Sequence, residues 1–293
     1  MVHVYTDKTP VNKTVSLVLG SGGARGIAHI GVIACLEEYG YEIKSIVGCS
    51  MGAVVGGIYA AGELKTYEQW LRKLTRSNVV SLMDFSFTKK GLVKGQRVIN
   101  TMMEMVGDHE IKALPIQFTA VATDIKNLKE IWINKGSLFT AIRASMALPL
   151  FMTPYQLDDM QLIDGGVLNP VPIAPTFSDD TDLTIAVNLG GFPKTFYEQT
   201  ENSPLTQISE FLSRRSGLTT NIEKLSLYDI SNRAFDVMQN AIARQKLAAY
   251  PPDVLIEIPR NTSKALEFHR ANELIEIGYN RAYKVLEMMN VNQ

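Results

Sequence analysis

Cysteine is scarce in this chain, with only Cys35 and Cys49 among 293 residues. Two cysteines cannot supply a disulfide framework, and no Cys/His cluster suggests a zinc site. An excess of one charge is also missing. The net charge is −1, which leaves no electrostatic footprint for nucleic acid. The first 15 residues are mixed polar, contain Pro10 and lack an apolar core, so no signal peptide is read there. Long hydrophobic runs are absent too. A membrane-spanning helix needs about 20 predominantly apolar residues, whereas the uncharged run 46–62 has 17, five of them glycine. These absences lead to the expectation of a soluble cytoplasmic protein, with a peripheral membrane contact left open.

What is present is ordinary for a folded domain, at 46% hydrophobic and 20% charged residues. A short apolar run at 15–20 suits a buried strand, and "GIAHIGVIACLEEYG" follows as an apolar helix stopping at Gly40. "KSIVGC" reads as a second strand and "MGAVVGGIYAAG" as a buried helix. A more polar helix is expected over 66–76, an irregular stretch over 77–95, and a helix in "QRVINTMMEMVG". "PIQFTAVATDI" and "EIWIN" look like paired strands, and Gly136 and Ser137 open a helix that must end by Pro149. "QLIDGG", "DLTIAVNLG" and "DVLIEIP" complete the strands. Beyond Gly191 the pattern turns helical. Leu227, Ile230, Ala234, Val237, Ala241 and Ala248 keep a 3–4 spacing, as do Ala265, Phe268, Ile275, Tyr279, Ala282, Leu286 and Met289. Both seams are expected to face the core. Alternation of strands and helices predicts an α/β fold, a mainly parallel central sheet with helices on both faces. One domain over 10–293 is expected, with 191–293 its more helical C-terminal part.

Three segments could carry chemistry. In Gly48-Cys49-Ser50-Met51-Gly52 a serine stands between a predicted strand and a predicted helix, the setting of a nucleophile turn. Cys49 is a rival nucleophile, but its strand-end position should point it elsewhere. The loop "GSGGARG" (20–26) can expose successive backbone N–H groups to a phosphate or an oxyanion. Arg25 occupies the third glycine position of a dinucleotide fingerprint, and no Gly-Lys-Ser/Thr follows to make a P-loop. Asp164 in "LIDGG" is either a turn former or a general base or its orienting partner. The usual serine hydrolase needs a histidine, and the chain offers only His3, His29, His109 and His269. None sits in a loop directly after a late strand. An aspartate alone suffices as base if burial raises its pKa and the serine bonds to it.

Taken in order, G-S-G-G-A-R-G, G-C-S-M-G and D-G-G closely resemble the patatin-like phospholipases, as do "GIAHIGV" and "AIRASMALPLFMTPY". The resemblance spans roughly 15–189. It implies the patatin-like three-layer architecture and a Ser-Asp dyad, with Ser50 as nucleophile and Asp164 as base. Gly22, Gly23, Ala24 and Arg25 would form the oxyanion loop, acting mainly through backbone N–H, although Ser21 interrupts the family's usual G-G-G. The implied activity is a lipid acyl hydrolase of phospholipase A or lysophospholipase type, passing through an acyl-enzyme, with no metal or organic cofactor. A thioesterase or acyltransferase differs only in the acceptor. Met51, Phe85, Phe87, Leu92 and Val93 are candidates for an acyl channel, and Lys89, Lys90 and Lys94 lie beside them. Two other classes stay open: a phosphate- or nucleotide-binding protein using the glycine loop, and a silent regulator with the same fold. Homo-oligomerisation stays open as well.

Overall fold

The computed structural model describes residues 11–84, 93–193 and 227–291. Its strands are β1 (Thr14–Leu19), β2 (Glu42–Cys49), β3 (Gln117–Asp124), β4 (Lys129–Ile133), β5 (Tyr155–Leu157), β6 (Met160–Asp164), β7 (Leu183–Gly191) and β8 (Val254–Pro259). They join one sheet in the order β5-β6-β3-β2-β1-β7-β8, with β4 also paired to β3. Pairings within β3-β2-β1-β7-β8 are parallel, and those made by β4, β5 and β6 are antiparallel. Parallel neighbours require crossover connections. Helix α1 (Ala28–Glu38) supplies one between β1 and β2, and α2 (Met51–Ala60) leads away from the end of β2.

Strand residues alternate between the two faces. Val15, Leu17 and Leu19 enter the larger core, which also contains Ile30, Ile33, Val54 and Leu274 from helices on that side. Val18 turns the other way and packs with Ala186, Val171, Ile173 and Ala243. Ala243 belongs to α7 (Leu227–Ala249), and Leu274 to α8 (Ala271–Val291). Helices therefore cover both faces of a mainly parallel sheet.

Register explains how the sheet builds a site. β2 runs parallel to β3 and ends with Cys49 opposite Val121. β6 runs antiparallel to β3 and ends with Asp164 opposite Ala122. β4 pairs with residues 120 to 124 of β3, occupying one edge along the whole of that stretch. β2 and β6 must therefore share the opposite edge, where they meet end to end. Two strand ends remote in sequence arrive at adjacent positions on one neighbour.

Two helical expectations need correction. The expected helix over 66–76 is α3 (Leu64–Leu71), and the stretch taken as irregular contains α4 (Arg76–Leu82). Thr75 and Asn78 form a reciprocal capping box at its start, so a local end signal outweighs the β-branched pair Val79-Val80. α5 (Gln96–Val106) and α6 (Leu138–Ser145) fall where the pattern places them. The seam of α7 is out of phase: Ala234, Val237 and Ala248 are exposed, whereas Gln239 and Ala243 are buried. A polar residue occupies the inward face of α7, which an apolar seam cannot reveal. The seam of α8 does face inward at Ile275, Ala282 and Leu286, while Ala265 and Phe268 precede the helix. Among the described residues no helix is long and apolar enough to cross a membrane. The uncharged run 46–62 is the end of β2, a turn and α2, nearly all of it buried.

Candidate active site

Ser50 follows directly on β2 and is the N-terminal flanking residue of α2, with φ 55° and ψ −121°. A positive φ at a non-glycine residue costs on the order of 1–3 kcal/mol and persists only where the surroundings enforce it. Here the surroundings do. A Cβ on Gly52 would stand 2.0 Å from the carbonyl oxygen of Leu19, so the second glycine lets α2 lie against the end of β1. The Ser50 carbonyl accepts the amides of Ala53 and Val54 at 2.9 and 3.2 Å. Its own amide donates to Ser145 Oγ at 2.9 Å. No capping bond occupies the Ser50 side chain.

Asp164 ends β6 and is fully buried. Its Oδ1 accepts the Gly166 amide at 2.8 Å and the Cys49 thiol at 3.9 Å. Its Oδ2 is buried without a hydrogen bond. Burial pushes the Asp164 pKa up to about 6, against opposing help from the nearby Ser50 hydroxyl, the Gly166 amide and the Cys49 thiol. Desolvation wins because a charge in a dry site loses more than these polar neighbours return. A Cβ on Gly165 would meet the Val121 carbonyl at 2.2 Å, which accounts for a glycine immediately after the aspartate.

The glycine loop lies beside the turn. Gly23 and Ser50 line the same cavity. Ala24 donates its amide to Ala265 O at 2.9 Å, and Arg25 donates its amide to Gly22 O at 3.2 Å. Among the four loop residues expected to act, these two amides are already committed, leaving Gly22 and Gly23. The Arg25 side chain turns inward and away, bonding to Gly22 O, Arg260 O and Asp236 Oδ1. It fastens the loop to α7 and to the segment after β8.

The cavity holds about 150 Å³. Its wall is drawn from α3 (Trp70), α4 (Val79), α5 (Met102), the turn after α6 (Met146) and the segment before α8 (Leu266), and among the described residues no lining side chain is charged. Met51 and Val93, the described candidates for an acyl channel, are among the lining residues. Phe85, Phe87, Leu92, Lys89 and Lys90 lie outside the described residues. Ala265, Leu266 and Phe268 were not anticipated as site residues. They fold back over the glycine loop from a stretch about 240 residues later in the chain, and nothing local marks that return.

The three described histidines are engaged elsewhere. His29 is fully buried and its Nε2 bonds Gly20 O at 2.9 Å, the core role expected of it. Burial drives its pKa down to about 4, so it stays neutral. His109 bonds Val106 O, and His269 accepts from Arg76. His3 lies outside the described residues. Cys49 does not line the cavity, and burial raises its thiol pKa well above the ordinary value. A thiol held protonated is a poor nucleophile. Its contact with Asp164 was not legible in the sequence. Among the described residues, no three His, Cys, Asp or Glu side chains gather as a metal-ligand set.

Residues 17–177 match the family model for patatin-like phospholipase. An uncharacterized NTE family protein of Mycobacterium tuberculosis is 37% identical, over 95% of this chain and 92% of its own length. A lysophospholipase NTE1 of Pyricularia oryzae is 27% identical over 94% of this chain, which corresponds to 19% of that much longer protein. The crystal structure of VipD from Legionella pneumophila aligns with a TM-score of 0.49 at 15% identity, covering 96% of this chain and 68% of that one.

Proposed function

The chain belongs to the patatin-like phospholipase family, and from that premise we propose that it is a serine-dependent lipid acyl hydrolase working through Ser50 and Asp164. The observation that carries the proposal is the buried Asp164 carboxylate, with one oxygen unbonded, beside a strained serine that lines a cavity whose described walls are mainly apolar.

The chemistry follows from these groups. Ionised Asp164 takes the Ser50 hydroxyl proton as Oγ attacks the ester carbonyl, and the carbonyl π-electrons move onto oxygen. A base with a pKa near 6 is ionised at neutral pH yet basic enough to accept that proton. The amides of Gly22 and Gly23 face the resulting oxyanion, and losing one such donor typically costs about 10²–10³ in turnover. Collapse of the tetrahedral intermediate expels the alcohol, which receives the proton from Asp164. Water then attacks the acyl-serine with Asp164 again acting as base, releasing a fatty acid and restoring the hydroxyl. The acyl chain lies in the cavity, where burying each methylene is worth about 0.8 kcal/mol.

Phosphate binding by the glycine loop is less well supported. The Arg25 guanidinium is spent on internal acceptors, and the Ala24 and Arg25 amides are bonded. The deciding experiment is covalent labelling by a fluorophosphonate probe. Wild type should label, and Ser50→Ala and Asp164→Asn should not. A folded wild type that stays unlabelled would remove the proposal.

A further inference from the structure

Both members of the proposed dyad hang from one short turn. Ser145, the last residue of α6, is fully buried. Its Oγ accepts the Ser50 amide at 2.9 Å and donates its single proton to Val121 O at 2.6 Å. Two residues on, Ala147 O accepts the Asp164 amide at 2.9 Å. Met146, between them, lines the cavity. A hydroxyl has one donor and cannot rotate freely once that donor is committed, so the lone pair facing Ser50 is fixed in direction. Ser50 needs such fixing, because its backbone sits where few non-glycine residues are stable.

We infer that Ser145 is a positioning residue of the hydrolase. It locks the Ser50 turn to β3, while the adjoining turn holds Asp164 by its backbone, so that together they set the separation between nucleophile and base. The inference rests on the proposal that Ser50 and Asp164 are the reacting pair. Removing the hydroxyl frees the Ser50 amide and the Val121 carbonyl inside a dry site, and the turn relaxes toward an ordinary backbone geometry. The distance the proton must cross then changes, whereas the cavity that holds the acyl chain does not.

The test uses the full chain and three variants: Ser145→Ala, Ser145→Thr and Ser145→Cys. Thermal unfolding is recorded first, so that rates are compared where every variant is folded. For Ser145→Ala the fluorophosphonate labelling rate and kcat are expected to fall by about 30-fold, with KM changing by less than about threefold. The acid limb of the pH profile should stay where wild type has it, because the burial of Asp164 is untouched. Ser145→Thr, which keeps the hydroxyl, should recover most of the rate. Should Ser145→Ala fail to fold, Ser145→Cys takes its place, since a thiol weakens both bonds without emptying the site, and its rate should fall between those of wild type and Ser50→Ala. A folded Ser145→Ala or Ser145→Cys with wild-type labelling and kcat overturns the inference, as does a loss confined to KM. If wild type itself folds but does not label, the dyad proposal and this inference fall together.

Discussion

Cys49 and Asp164 stand opposite adjacent residues of β3, Val121 and Ala122, and the thiol reaches the carboxylate with Sγ 3.9 Å from Oδ1. The residue before Ser50 thus touches Asp164. Through this contact β2 and β6, which run in opposite directions, place Ser50 beside a carboxylate more than 100 residues away in the chain.

Activity should follow the ionisation of Asp164. With its pKa raised to about 6, kcat/KM is expected to climb tenfold per unit below that point and level off above it. A pH profile on a neutral acyl ester measures this directly. An acid limb near 4 would mean that the base is not desolvated as the structure has it.

Cys49 should tune that limb. Its thiol is a weak donor that favours the ionised carboxylate. Cys49→Ser substitutes a stronger donor and should move the limb down by about half a unit, while Cys49→Ala should move it up by a similar amount. Identical limbs in both variants would show that the thiol does nothing to the base.

Stability should carry the same signature with the sign reversed from the usual carboxylate. The Asp164 pKa is raised from 3.8 to about 6, so between those values the folded protein holds a proton that the unfolded chain has released. Its contribution therefore falls as pH rises through that window, by about 3 kcal/mol in all. His29, lowered from 6.5 to about 4, acts oppositely and gains stability as pH rises. Asp164→Asn removes only the first effect. Urea unfolding at several pH values from 4 to 6.5 should show the variant gaining on wild type by about 2 kcal/mol. Parallel curves would contradict the buried carboxylate.

Chain-length preference should respond to the cavity wall. Val98 of α5 lines it, and Val98→Phe should shorten the space available to an acyl chain. Hydrolysis of a long-chain p-nitrophenyl ester is expected to fall by about tenfold, with the butyrate ester changed by less than about twofold. Equal losses on both esters would place the acyl chain elsewhere.

The α/β class, most strands, and the strand–turn–helix setting of Ser50 with its glycines were all legible in the sequence. Each depends on local rules: alternation along a strand, caps, and glycine where a backbone or side chain comes within 3 Å. The Ser-Asp pairing came from motif resemblance, because nothing local in "GCSMG" points to "LIDGG". The three-dimensional arrangement alone decided the rest. Ser145 reads as one small residue in an apolar helix, yet it bonds the Ser50 amide; Ala265 reads as part of a helical seam, yet it caps the glycine loop. Gln239 sits buried on α7, against the apolar phase of that helix, because it reaches Ser21. The physical reason is common to all three: a hydrogen bond between residues far apart in the chain leaves no periodicity, and only the folded sheet and the elements packed on it bring such residues within reach.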